Sequence, residues 1–136
     1  MIRRINHIAI AVASLDEAAK VYETLLGIRM DSREHVASNK VEVGFIPVGE
    51  SRLELVQPDS PDSPVAKFIA KRGPGLQHLC FEVDDIETEL ARLKAAGVRL
   101  INEAPVAGAH GCRVAFVHPA STGGVLVELS QPPDPH

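Results

Sequence analysis

Apolar residues recur along this chain with a strand period and a helix period by turns, and the order in which the two follow each other occurs twice. Ile5 to Val12 is rich in Ile, Ala and Val, as in a strand. Ser14, with Glu17 three residues on, then forms a capping box, in which a hydroxyl and a carboxylate occupy backbone N–H groups that a helix start leaves unpaired. Leu15, Ala18, Ala19, Tyr22, Leu25 and Leu26 fall on one face of the predicted helix, and Gly27 suits a left-handed C-terminal cap. Strands are expected near Ile28 to Met30, over Val41 to Val48 and over Arg52 to Val56, the last two joined by a Gly49-Glu50-Ser51 turn. The order is β-α-β-β-β.

The second half has the same grammar. Leu76 to Val83 reads as a strand, and Asp84-Asp85 caps a helix carrying Ile86, Leu90, Leu93 and Ala96 that stops at Gly97. Strands follow around Arg99 to Ile101, Arg113 to His118 and Val125 to Ser130. Leu53-Glu54-Leu55-Val56-Gln57-Pro58 reappears as Val127-Glu128-Leu129-Ser130-Gln131-Pro132, and His7 reappears as His78. Between the copies lies a Pro- and Ser-rich linker, in which Ser63-Pro64 caps a short helix from Val65 to Lys71. The predicted fold class is α+β: two tandem βαβββ modules, about 4–58 and 76–132 with linker 59–75, building a curved, cup-like mixed sheet with helices on its outer face within one domain, 1–136.

Strand alternation sorts these residues by face. His7, Ala9 and Ala11 point away from the helix while Ile8, Ile10 and Val12 point toward it; His78, Cys80 and Glu82 oppose Leu79, Phe81 and Val83 in the same way. Glu54 and Glu128 are each flanked by aliphatic residues that must bury on the helix side, so both carboxylates are expected beside the histidines, inside the cup. Singly, a strand histidine or glutamate is usually a hydrogen-bonded or solvated surface residue. Solvent exposure gives no reason for the pair to recur beside diverged neighbours. His7, Glu54, His78 and Glu128 together offer two imidazoles and two carboxylates, a set that suits a divalent metal ion. Glu42 is expected on the same inner face, with Gly44 leaving room beside it.

Charge and composition remove several function classes. Eighteen acidic against fourteen basic residues, with the basic ones scattered, argue against general nucleic-acid binding. The early apolar run, Ile8 to Ala13, is far too short for a membrane span, and the chain is expected to be cytoplasmic without a membrane partner. Two cysteines, Cys80 and Cys112, in no metal-binding or disulfide spacing read as reduced, buried thiols.

Over nearly its whole length the chain resembles the methylmalonyl-CoA epimerases of the vicinal oxygen chelate superfamily. The resemblance is carried jointly by Ile5-Asn6-His7-Ile8-Ala9-Ile10-Ala11-Val12, Leu53-Glu54-Leu55, Asp62-Ser63-Pro64-Val65-Ala66-Lys67-Phe68, Gln77-His78, Glu82-Val83-Asp84-Asp85-Ile86 and Gly123-Gly124-Val125-Leu126-Val127-Glu128-Leu129. It implies that His7, His78 and Glu128 ligate the metal with Glu54 in the fourth position, where some members carry Gln. It also implies that Glu42 and Glu128 form the acid–base pair inverting C2 of an acyl-CoA substrate. Cobalt is the implied ion ahead of manganese, nickel, zinc or magnesium, and a homodimer the implied assembly. Ala107-Gly108-Ala109-His110-Gly111 is similar to the family's glycine-rich segment beside the acyl group, although a plain connection accounts for it equally well. Glyoxalase I is the nearest alternative, and metal-free binding proteins of the bleomycin-resistance type are the alternative outside catalysis.

Overall fold

The computed structural model describes residues 1–134, which divide into two compact units, His7–Gln77 and Met1–Asn6 together with the chain from His78 onward. Along the chain the elements are β1 (Ile2–Ala11), α1 (Leu15–Leu26), β2 (Ser32–Val36), β3 (Val41–Val48), β4 (Ser51–Pro58), α2 (Pro64–Arg72), β5 (Gly75–Val83), α3 (Ile86–Ala95), β6 (Val106–Ala107), β7 (Arg113–Val117) and β8 (Val127–Gln131). The class is α+β with mixed strand pairing, as the periodicity predicts. No helix among the described residues is long and apolar enough to cross a membrane.

In the unit His7–Gln77 the strands run in the order β2-β3-β4-β1, with β1 parallel to β4 and the other neighbours antiparallel. Its core is where α1 meets the sheet: Ile10, Val12, Leu15, Ala19, Ile46 and Leu55 are buried together, with Leu53 and Tyr22 partly buried against them. The caps read from the sequence are in place. Glu17 N–H donates to Ser14 Oγ, and Gly27 takes a left-handed φ of 69° while its N–H reaches Glu23 O. The apolar pattern of α1 outlasts the sheet it covers, so Leu25, expected on the buried face, is 71% exposed. In α2, Ser63 caps the first turn and Pro64 needs no N–H partner there, as expected.

In the other unit the order is β5-β8-β7-β6, again with one parallel pair, β5 with β8. Val83, Ile86, Leu90, Ala115 and Leu129 form the buried cluster between α3 and its strands. Cys80 and Cys112 are both buried and reduced, as expected.

Two predicted strands lie elsewhere. Ile28 and Met30 are apolar because they pack on the α1 cluster as irregular chain, with the Met30 N–H donated to Glu23 Oε2; the strand begins only at Ser32. Arg99 to Ile101 makes a single bridge, Leu100 with Val117, and the short β6 takes the edge position instead.

The glutamines of the repeated hexapeptide have a structural task that their spacing alone did not reveal. Leu15 N–H donates to Gln57 Oε1 at 2.7 Å, and Ile86 N–H donates to Gln131 Oε1 at 2.8 Å. In both copies the closing strand thereby holds the first residue of its module's helix, supplying an acceptor for a donor that a helix start leaves over. Gln57→Leu removes that acceptor and is expected to lower stability by about 1 kcal/mol, read from the midpoint of urea unfolding.

Candidate functional site

Each copy brings its histidine and its glutamate together by the same register. In the parallel pair β1–β4, Ala9 faces Glu54; in β5–β8, Cys80 faces Glu128. The histidine stands two residues before the facing residue each time, on the same side of the strand as the carboxylate. His7 Nδ1 lies 2.9 Å from Glu54 Oε2, and His78 Nε2 lies 2.9 Å from Glu128 Oε1. All four side chains are more than nine-tenths buried. A carboxylate so placed needs partners, since an unpaired buried charge is costly.

The antiparallel neighbours repeat as well. Phe45 faces Glu54 across β3–β4, and Phe116 faces Glu128 across β7–β8. The Phe116 ring meets the His78 ring edge-on, with centroids 5.3 Å apart and planes at 86°, which fixes the imidazole. On the Phe45 side the neighbour is Arg52, whose guanidinium carbon is 5.3 Å from the ring centroid and whose Nε donates to Glu54 Oε2 at 3.0 Å. Neither phenylalanine nor Arg52 is singled out by the sequence pattern, yet Phe45 and Phe116 hold equivalent places beside the two glutamates.

Two ligands at right angles on bonds of about 2.1 Å stand about 3 Å apart, so the spacing within each pair fits adjacent positions on one divalent ion. Ordinary hydrogen bonds have the same length, and the pairs are complete on their own terms too. The donor set, imidazole nitrogen with carboxylate oxygen in both copies, is one that Co2+, Mn2+, Ni2+ and Zn2+ all accept.

The face expected for Glu42 requires a correction. Glu42 shares a face with Gly44, as expected, but that face is the one covered by α1. A Cβ at Gly44 would come within 2.4 Å of Met30 Sδ and 2.9 Å of Leu15 Cδ1. Across β3–β4, Gly44 faces Leu55, Ile46 faces Leu53 and Glu42 faces Gln57, the residue that caps α1. Arg33, 3.9 Å from Glu42 Oε1, is bonded at 2.7 Å to Asp16 in the first turn of α1. The second copy agrees, since Ala115 stands in the place of Gly44 and packs in the α3 cluster, while Arg113, in the place of Glu42, pairs with Glu87 of α3. Gly44 leaves room for Leu15 and Met30, and Glu42 lies on the opposite side of the strands from His7 and Glu54. The carboxylate that β2 turns to the His7 side is Glu34, which faces Val43 and, through it, Val56.

Comparison with known proteins agrees with this architecture. The model of the Glyoxalase/Bleomycin resistance protein/Dioxygenase superfamily matches residues 6–116. The human mitochondrial methylmalonyl-CoA epimerase is 41% identical over 129 residues, covering 94% of this chain and 73% of its own. An ethylmalonyl-CoA/methylmalonyl-CoA epimerase of Cereibacter sphaeroides is 41% identical over 133 residues, covering 96% and 99%. Among solved structures, a variant of Streptomyces coelicolor methylmalonyl-CoA epimerase in complex with 2-nitronate-propionyl-CoA superposes with a TM-score of 0.94 at 31% identity, covering 98% of this chain and 97% of that one.

Proposed function

The chain belongs to the Glyoxalase/Bleomycin resistance protein/Dioxygenase superfamily, and from that premise we propose that it is a methylmalonyl-CoA epimerase, interconverting the two configurations at C2 of an acyl-CoA substrate. The observation that carries the proposal is the His–Glu pair formed twice in one register, in a chain about 40% identical to epimerases over most of its length. In this reading His7, Glu54, His78 and Glu128 hold one divalent ion, assigned as Co2+, and the two modules act as a single functional domain. The homodimer and the cytoplasmic setting are carried from the family likeness and the sequence pattern.

C2 of methylmalonyl-CoA lies between a thioester and a carboxylate, so its proton is acidic for a C–H. Removing it builds negative charge on the flanking oxygens. A bound divalent cation supplies positive charge against that build-up. Glu128 acts as one base, taking the proton at C2. His78 and the edge of Phe116 keep the groups around Glu128 in place. Inversion requires a proton returned on the other face, and thus a second acid. We assign this role to Glu34 in place of Glu42, because Glu34 shares the strand face of His7 and Glu54. The apolar side chains around both pairs, with Phe45 and Phe116 foremost, exclude water that would otherwise compete for the bases.

The test is to incubate a single epimer of methylmalonyl-CoA with the metal-loaded protein in deuterated water and follow C2 by proton NMR. Deuterium is expected to enter C2 as the other epimer appears, and chelation should stop both. A protein that gives no metal-dependent exchange is not this enzyme.

A further inference from the structure

Glu34 stands on β2, the edge strand of its unit, which has ladder hydrogen bonds to β3 alone. A segment held along one side opens more readily than one held along both. The residues on either side of Glu34, Arg33 and His35, turn to the opposite face by strand alternation. Both are fastened there. Arg33 Nη1 donates to Asp16 Oδ1 at 2.7 Å, and Asp16 follows Leu15, whose own N–H is held by Gln57. His35 Nε2 donates to Asp59 Oδ2, and the Asp59 N–H donates to Lys40 O at 2.9 Å, so the acceptor is itself anchored. His35 thus reaches across β3 to the chain just beyond β4. The peptide on both sides of Glu34 is tied down from the face that its carboxylate does not use.

The second copy shows that carboxylate and ties go together. Across β6–β7, Val106 faces Val114 and Ala107 faces Arg113, as Glu34 faces Val43 and His35 faces Glu42 across β2–β3. Val43 and Val114 hold equivalent places, opposite Val56 and Ser130 of the repeated hexapeptide. Pro105, Val106 and Ala107 therefore stand where the first copy has Arg33, Glu34 and His35. The copy with an edge carboxylate has a charged or polar side chain on each side of it, and the copy without one has proline and alanine.

Under the proposed function, on which this inference rests, Glu34 returns a proton to C2 on the face opposite Glu128. We propose that Arg33 and His35 are positioning residues for that transfer, holding Glu34 within reach of C2 through Asp16 and Asp59. The C2–H bond breaks with its proton passing to Glu128. The enolate then takes a proton either from the Glu34 carboxylic acid, which inverts the centre, or from Glu128, which restores it. The ratio of inversion to retention therefore measures how well Glu34 is placed, and misplacement by about 1 Å costs such a step up to about 100-fold. Both ties lie at the surface, where an ion pair shifts an equilibrium by about fivefold at most, and this sets the scale of each loss.

The experiment incubates each epimer of methylmalonyl-CoA in turn with metal-loaded protein in deuterated water. Inversion and deuterium uptake with retention are followed by NMR and chiral analysis, on the epimer that still exchanges in Glu34→Gln. Folded fraction and metal content scale both rates alike, so a merely structural role leaves their ratio unmoved. Arg33→Met and Asp16→Asn are each expected to lower the ratio about three- to fivefold, with no further fall when combined, and Arg33→Lys to keep most of it. Arg33→Met with His35→Leu, which cuts both ties, is expected to lower it about tenfold or more. Lys20→Met, which removes the separate Lys20–Glu17 pair on α1, should leave it unchanged. A wild-type ratio in Arg33→Met with His35→Leu overturns the inference, whatever the Tm. So does a further fall on combining Arg33→Met with Asp16→Asn, since Arg33 would then not act through Asp16. A wild-type ratio in Glu34→Gln overturns the role given to Glu34 and this inference together, whereas the first two failures leave that role standing.

Discussion

Glu128→Gln is expected to leave the protein folded and to slow epimerisation by about three orders of magnitude, the range over which a positioned acid–base group acts. The amide keeps an oxygen where Oε1 lies 2.9 Å from His78 Nε2, so metal content should persist at saturating ion. It cannot take a proton from C2, so deuterium exchange should fall with turnover. Glu54→Gln makes the same chemical change at the equivalent place and should cost less than about tenfold, because Glu54 moves no proton in the proposed scheme. Rates measured by NMR, with metal content determined on the same samples, check both. Equal losses in the two variants would mean that the copies share the chemistry.

The second large effect separates two glutamates. Glu42→Gln is expected to keep epimerase activity within about twofold of wild type, since the carboxylate lies on the α1 side beside Arg33 and Gln57, and surface changes of this kind have small effects. Glu34→Gln is expected to lose epimerisation by about 100-fold or more. Its signature is specific: with Glu128 intact, one epimer should still exchange its C2 proton for deuterium while keeping its configuration. Chiral analysis of substrate recovered from deuterated water reads this directly. An inactive Glu42→Gln beside an active Glu34→Gln would return the second role to Glu42.

The duplicated grammar was legible because its punctuation is local. Ser14 and Glu17, Gly27, Ser63-Pro64 and Asp85 act through hydrogen bonds or backbone angles within a few residues, so the string of residues contains their cause. Face assignment is different. Alternation shows that Glu42 goes with Gly44, but which side they take depends on what lies beyond the strand, and the missing side chain of Gly44 suited a ligand as well as it suits Leu15 and Met30. Ala115, small and apolar at the matching place in the second copy, was the available clue. β2 was misplaced because Ser32-Arg33-Glu34-His35-Val36 is mostly polar and carries no alternation, whereas Ile28 and Met30 are apolar for the sake of the core without being strand. Arg52 has no counterpart in the second copy, where Leu126 stands, so the repeat carries no sign of it.

Glu54 and Gln57, like Glu128 and Gln131, stand three residues apart on opposite faces of one strand, the first meeting a histidine and the second the start of a helix. A slip of the strand by one residue would strand both groups at once, so the fastening of the helix acts as a vernier for the chemistry. Whatever event copied this hexapeptide copied an instrument together with its mount. Each copy therefore carries its reactive group and the fastening that aligns it in one short segment, even where the residue before the motif differs, arginine in one copy and leucine in the other.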